Sequence, residues 1–152
     1  MKCSQSDLFK LISDLYGLSE ANKDFLDARF LKDRQALERY KTQIKKYLPP
    51  SESWRESQPI RLREAKKAIS DYKKALGDPI DLIELMVHYV ECGTDFLCEF
   101  GDMYEQYYIS LESVFEKALT LMKQQEELEI TAFISRLGVV VKKARDMGWG
   151  YY

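Results

Sequence analysis

Residues 62 to 100 read LREAKKAISDYKKALGDPIDLIELMVHYVECGTDFLCEF, and their pattern decides the fold class. Leu62, Ala65, Ile69, Tyr72 and Leu76 recur at steps of three and four, the spacing that sets side chains on one face of an α-helix. Gly77 ends that helix. Asp78 is the expected N-cap of the next, and Pro79 suits its first position, where the backbone N–H has no intrahelical partner. From Pro79 to Phe100 apolar residues cover most of the circumference: Ile80, Leu82, Ile83, Leu85, Met86, Val87, Val90, Phe96, Leu97 and Phe100. So wide an apolar surface needs neighbours on several sides, which makes this helix the expected centre of the fold.

The same period runs outward in both directions. Leu8, Leu11, Ile12 and Leu15 predict a short first helix ended by Gly17, and Ser19 is placed to cap a second. That second helix carries Phe25, Leu26, Phe30, Leu37, Tyr40, Ile44 and Leu48 until Pro49-Pro50 stops it. Residues 49 to 59 hold three prolines and three serines and read as the one obvious loop. After Gly101-Asp102 a fifth helix carries Tyr104, Tyr107, Tyr108, Leu111, Phe115, Ala118, Leu119 and Met122. A sixth carries Ile130, Phe133, Ile134, Leu137, Val141 and Ala144. No period-2 segment competes, so residues 1–152 are expected to form a single all-α domain of about six helices in antiparallel hairpins.

Two architectures satisfy that description. Residues 68–76 echo residues 111–119 at an offset of 43, matching Tyr72 with Phe115, Lys74 with Lys117, Ala75 with Ala118 and Leu76 with Leu119. The first stretch resembles the second helix of a tetratricopeptide repeat, and the offset lies in the range of HEAT units, so one option is a stacked, HEAT/TPR-like array. Amphipathic helices of similar composition also align this well by accident, so the other option is an irregular helical bundle.

The 152 residues are 45% apolar and 32% charged, enough to bury a core without disulfides or a structural metal. Cys3, Cys92 and Cys98 make an odd count with no Cys-x-x-Cys pair. Cys92 and Cys98 lie about 240° apart around one helix and cannot bridge. Residues 1 to 7 lack the apolar core of a signal peptide, and no apolar run reaches the roughly 18 residues of a membrane span. A cytoplasmic protein with reduced thiols and no membrane association is the expectation.

Net charge is −2, from 23 basic and 25 acidic residues, which removes the simplest case for a nucleic-acid binder. That small number conceals a segregation. Residues 29–74 contain fourteen Lys/Arg and six Asp/Glu, whereas residues 78–116 contain ten Asp/Glu and no Lys or Arg. Mutual packing of the third and fourth helices would offset the two fields; partner surfaces of opposite sign are the functional alternative. The basic residues Arg29, Lys32, Arg39, Lys45, Lys46, Arg61, Arg63, Lys66, Lys67, Lys73 and Lys74 scatter over several helix faces. Asp33, Glu38, Glu64 and Asp71 interleave with them as local ion-pair partners.

Chemistry, if present, centres on the only histidine. Asp81, Glu84, His88, Glu91, Asp95, Glu99 and Asp102 form one stripe along the fourth helix. Carboxylate and imidazole one turn apart is a spacing that metal sites use. A dinuclear carboxylate centre needs Glu-x-x-His on two helices, which a single histidine cannot supply. A mononuclear Mn or Mg site on Glu84, His88, Glu91 and Asp95, or an acid–base pair of Glu84 or Glu91 with His88, is the catalytic alternative. Both require inward-facing groups, toward carboxylates such as Glu112 or Glu116. Against them stands a solvated amphipathic face.

Asp102, Tyr104, Glu105, Tyr107 and Tyr108 could line a ligand pocket, but Asp102 with Glu105 also reads as a capping box, and the tyrosines as core. Gly93 and Gly138 inside helices point to close helix crossings, and Cys92 and Cys98 to small buried apolar residues. No phosphate loop, Gly-x-Ser-x-Gly, His-Glu-x-x-His or dinucleotide glycine pattern occurs, so no cofactor is implied.

Some stretches are distinctive. They are Asn22-Lys23-Asp24-Phe25-Leu26, Ala65 to Asp71, Gly77-Asp78-Pro79, Tyr89-Val90-Glu91-x-Gly93, Phe100-Gly101-Asp102, Tyr108-x-Ser110-Leu111-Glu112-Ser113 and Gly148-Trp149-Gly150. Together they resemble a bacterial all-helical family catalogued only as a domain of unknown function, over roughly residues 6 to 150. The resemblance implies a small prokaryotic helical protein and carries no activity, cofactor or catalytic residue with it. Three functions follow in order of expectation. The first is a non-catalytic module that binds another protein or itself, with Trp149, Tyr151 and Tyr152 as part of an exposed apolar surface. The second is the metal-dependent or acid–base enzyme. The third is a nucleic-acid-associated regulator acting through the second and third helices.

Overall fold

The computed structural model describes residues 2–31, 34–49 and 60–148. They form seven α-helices: α1 (Gln5–Leu18), α2 (Glu20–Leu31), α3 (Arg34–Tyr47), α4 (Leu62–Ala75), α5 (Pro79–Phe100), α6 (Glu105–Met122) and α7 (Glu127–Asp146). No strand occurs among the described residues. None of these helices is long and apolar enough to cross a membrane. Trp149, Tyr151 and Tyr152, Lys32 and Asp33, and all but Pro49 of the proline-serine loop before Ile60 lie outside the described residues.

The expected centre is the observed one. α5 packs against α3, α4, α6 and α7, and buries Leu82, Ile83, Leu85, Val87, Tyr89, Val90, Phe96 and Leu97. Its start follows the sequence closely: the Asp78 carboxylate accepts from the N–H groups of Ile80 and Asp81 at 3.0 and 3.1 Å, with Pro79 in the first turn. Gly101 ends it at φ 82°, a conformation open to glycine. α6 approaches closely at Gly93, where an added Cβ would lie 2.2 Å from Leu111 Cδ2. The buried Tyr107 hydroxyl donates to Gly93 O at 2.9 Å and fastens the crossing. Gly138 has open space around it, so close helix approach does not explain it.

Several boundaries differ from expectation. The single second helix is two, α2 and α3; no glycine or proline lies between Phe30 and Gln35 to announce the division. The faces differ too: α2 buries Asp24 and Ala28, leaving Phe25 and Phe30 exposed, while Ala36, Tyr40, Ile44 and Leu48 enter the core. Gly17 does not end α1, which runs through Leu18. Ser19 does cap α2, accepting from Asn22 N at 3.1 Å, and Asn22 Nδ2 returns a bond to Leu15 O at 2.7 Å. Asp102 makes no capping box: α6 begins after Tyr104 without a side-chain cap, and the Asp102 carboxylate instead accepts from Met103 N and the Tyr108 hydroxyl. Cys98 is exposed and Cys92 half-buried, so neither is the fully buried small residue expected.

Candidate functional site

The acidic stripe of α5 faces α3 and α7. Arg136 of α7 reaches across with all its geometry committed: Nε and Nη2 donate to the two oxygens of Glu91 at 2.8 and 2.7 Å, and Nη1 donates to Glu84 Oε2 at 2.6 Å. Lys41 of α3 takes the other Glu84 oxygen at 2.7 Å, and Lys143 of α7 takes Asp95 at 2.6 Å. Glu84 and Glu91 are two helical turns apart, so one guanidinium fork spans the stripe and ties α7 to α5. Burial opposes the charged form of Glu84, but Arg136 and Lys41 outweigh it and hold the carboxyl below its ordinary value. Glu91 foremost, with Glu84, holds Arg136 charged.

His88 sits between the two carboxylates, 9% exposed, with Nε2 3.7 Å from Cys92 Sγ. Burial, then Lys41 and Lys45, push its pKa down, so the ring is neutral in the fold. The same burial pushes the Cys92 thiol up to about 12, where it remains protonated and poorly nucleophilic. A cavity of about 460 Å³ opens beside them, lined by Lys45, Asp95 and Lys143 among others. The middle of the stripe is therefore no array of free ligands, while Asp95, Glu99 and Asp102 toward its C-terminal end are exposed, as a solvated face would be. Glu84, Glu91 and Asp95 are engaged by cations of α3 and α7 rather than meeting Glu112 and Glu116 of α6. Among the described residues no three His, Cys, Asp or Glu side chains gather where a metal ion could be held.

The charge segregation finds its physical meaning here, with a correction to its partner. α4 does lie against α5, but contributes the Tyr72 hydroxyl, which donates to Asp81 at 2.7 Å. The cations that meet the acidic stripe come from α3 and α7. Arg136 and Lys143 escaped the sequence reading, although their spacing of seven puts them on one helix face, matching the spacing from Glu84 to Glu91. Of the basic residues, Arg39 pairs with Asp24 and Asp27, Lys67 with Asp71, and Arg29 donates to Lys74 O and Ala75 O.

A second region stands out by what it leaves uncovered. α1 contains no buried residue. Leu8, Leu11, Ile12, Leu15 and Tyr16 are each at least 39% exposed, Phe9 is 65% and Leu18 75% exposed. At 100° per residue these seven occupy one half of the helix circumference, and Asp7, Lys10, Ser13 and Asp14 occupy the other. The helix is well begun: Asp7 N donates to Ser4 Oγ at 3.2 Å while the Asp7 carboxylate accepts from Ser4 N at 3.0 Å, a capping box. α1 rests on α2, where the Tyr16 hydroxyl meets Asp27 at 3.4 Å. Leu8, Leu11, Ile12 and Leu15, whose spacing predicts the helix, lie on its surface.

No family model, curated protein or solved structure matches this chain.

Function must accordingly be read from the two regions themselves. Glu84, Glu91 and Asp95 of the α5 stripe are engaged in ion pairs that tie α5 to α3 and α7. α1 presents a formed helix whose apolar half stays largely exposed, and the position of that half was legible in the spacing of Leu8, Leu11, Ile12 and Leu15. Its exposure was not, since an amphipathic period is the same whether the apolar side meets the core or a partner.

Proposed function

We propose that this chain is a non-enzymatic protein–protein interaction module that docks through the apolar half of α1. The observation that carries the reading is the exposure of all seven large side chains on one side of a capped helix that buries nothing. A 14-residue helix is marginal in water on its own, and most helical stability comes from packing an amphipathic face. Taking roughly 200 Å² for each fully exposed large side chain, the seven present about 700 Å² of mostly apolar surface, above the patch size typical of monomers. The engaged state of Glu84, Glu91 and Asp95 and the protonated Cys92 thiol weigh against the acid–base and metal readings.

The body of the module reads as stacked helical hairpins. Consecutive helices pair as α3 with α4 and α5 with α6, while α3 and α7 flank α5. The echoed positions match in environment: Tyr72 and Phe115 are buried, Ala75 and Ala118 are buried, and Leu76 and Leu119 are exposed to 37% and 38%. The test of docking is a photo-crosslinking residue placed at Phe9 in the native cell, with Lys10 on the opposite face as control. A discrete protein adduct from position 9 and none from position 10 is expected. Equal labelling at both positions, or none at either, contradicts the reading.

A further inference from the structure

Resting on that reading, we infer that the partner of the α1 face is a second copy of this chain, the two α1 helices pairing across a two-fold axis. Area is the first ground. A standard stable interface removes about 800 Å² from each partner. The seven residues of α1 expose about 700 Å² per copy, so a helix covering nearly all of its own equivalent reaches the lower end of the range for stable interfaces, about 600 Å² per partner. Charge is the second. The apolar half, Leu8 through Leu18, includes no ionised group, and Asp7, Lys10 and Asp14 lie on the far side. Two identical faces therefore meet without like charges in the seam, and the face offers no charge to recruit a partner of one sign.

A membrane surface fits less well. Interfacial helices carry Lys and Arg opposite their apolar side, whereas this one carries two aspartates and one lysine there. The helix also presents Leu8, Leu11, Leu15 and Leu18 at steps of three, four and three, the seam spacing of paired helices. Pairing through a two-fold axis is the commonest closed arrangement for identical subunits and, being closed, does not propagate into a filament. Because α1 contains no fully buried residue and rests chiefly on α2, its substitution is expected to leave the α3–α7 body intact.

Sedimentation velocity on the full chain from about 1 µM to about 100 µM tests this, a range in which interfaces of this size associate even when imperfect. A particle of twice the 17.9 kDa chain mass is expected. The double substitution Leu8→Glu with Leu15→Glu should weaken association by roughly a hundredfold or more, with the helical circular dichroism of the body retained. The corresponding Leu8→Lys with Leu15→Lys chain should also be monomeric, and mixing the two should restore a dimer whether the helices run parallel or antiparallel. Wild-type chain that stays at 17.9 kDa throughout overturns the inference. So does a dimer that both double variants retain. If a monomeric chain still crosslinks from position 9 to a different protein, the second copy is refuted and the module reading survives; if it instead sediments with neutral lipid vesicles, both fail.

Discussion

Gly93→Ala provides the sharpest test of how α5 and α6 are joined. The new Cβ would lie 2.2 Å from Leu111 Cδ2, short of an ordinary carbon–carbon contact by more than about 1 Å. Leu111 is fully buried, so it has nowhere to swing, and the Tyr107 bond to Gly93 O resists separation of the helices. Overpacking of this kind costs about 1–3 kcal/mol. The same substitution gains about 1 kcal/mol of helix propensity. With so short a contact the steric side wins, and a net loss of up to about 2 kcal/mol is expected, lowering Tm by up to about 4–8 °C for a chain of this length. Leu111→Ala alone should cost about 2–5 kcal/mol by leaving a cavity. In that background the obstructing methyl groups are gone, so Gly93→Ala should change sign and stabilise by about 1 kcal/mol. The assay is thermal and urea unfolding of the four chains. A Gly93→Ala protein more stable than wild type, or equal effects in both backgrounds, would refute the contact.

Three further outcomes follow from the α5 stripe. Arg136→Met leaves Glu84 and Glu91 half-buried with Lys41 as the remaining cation, and should cost about 2 kcal/mol in urea unfolding, between exposed and buried pair values. His88, pushed below its ordinary value of 6.5, takes up its proton more readily when unfolded, so the unfolded state binds more protons below that pH. Stability should fall as pH drops from 7.5 through 6.5 toward 5.5, and His88→Gln should flatten that slope; an unchanged slope contradicts the burial of the ring. Thiol titration at pH 8 of the native protein should label Cys3 and Cys98 promptly and Cys92 only on unfolding, because burial raises its pKa to about 12.

Much of the fold was legible because its signals are local. Asp78, Pro79 and Gly101 fix the ends of α5 by backbone hydrogen bonding, which a sequence displays directly. The apolar breadth of residues 80–100 likewise announces a helix enclosed on several sides. The break between α2 and α3 was not legible, since neither glycine nor proline marks it and period 3.6 continues through both. Asp102 misled because a capping box and a tyrosine–carboxylate contact use the same residue types, and only three-dimensional position decides between them.

The site divides in the same way. The stripe from Asp81 to Asp95 could be drawn from spacing alone, and its four candidate residues do share one side of α5. What they meet could not, because Arg136 and Lys143 lie about fifty residues away and join the stripe only through the packing of α7 on α5. Charge segregation along the chain marked a need for compensation without naming its source. For α1 the reverse holds: its amphipathic period was plain, and the exposure of its apolar side emerged only from the packing.

The most direct measurement of the central claim is hydrogen exchange of α1 amides as a function of protein concentration, read by mass spectrometry on peptides spanning residues 5–18 and, for reference, 79–100. Pairing of α1 across copies predicts protection that rises with concentration in the first peptide while the second stays constant. Exchange in α1 that is fast and independent of concentration would contradict it.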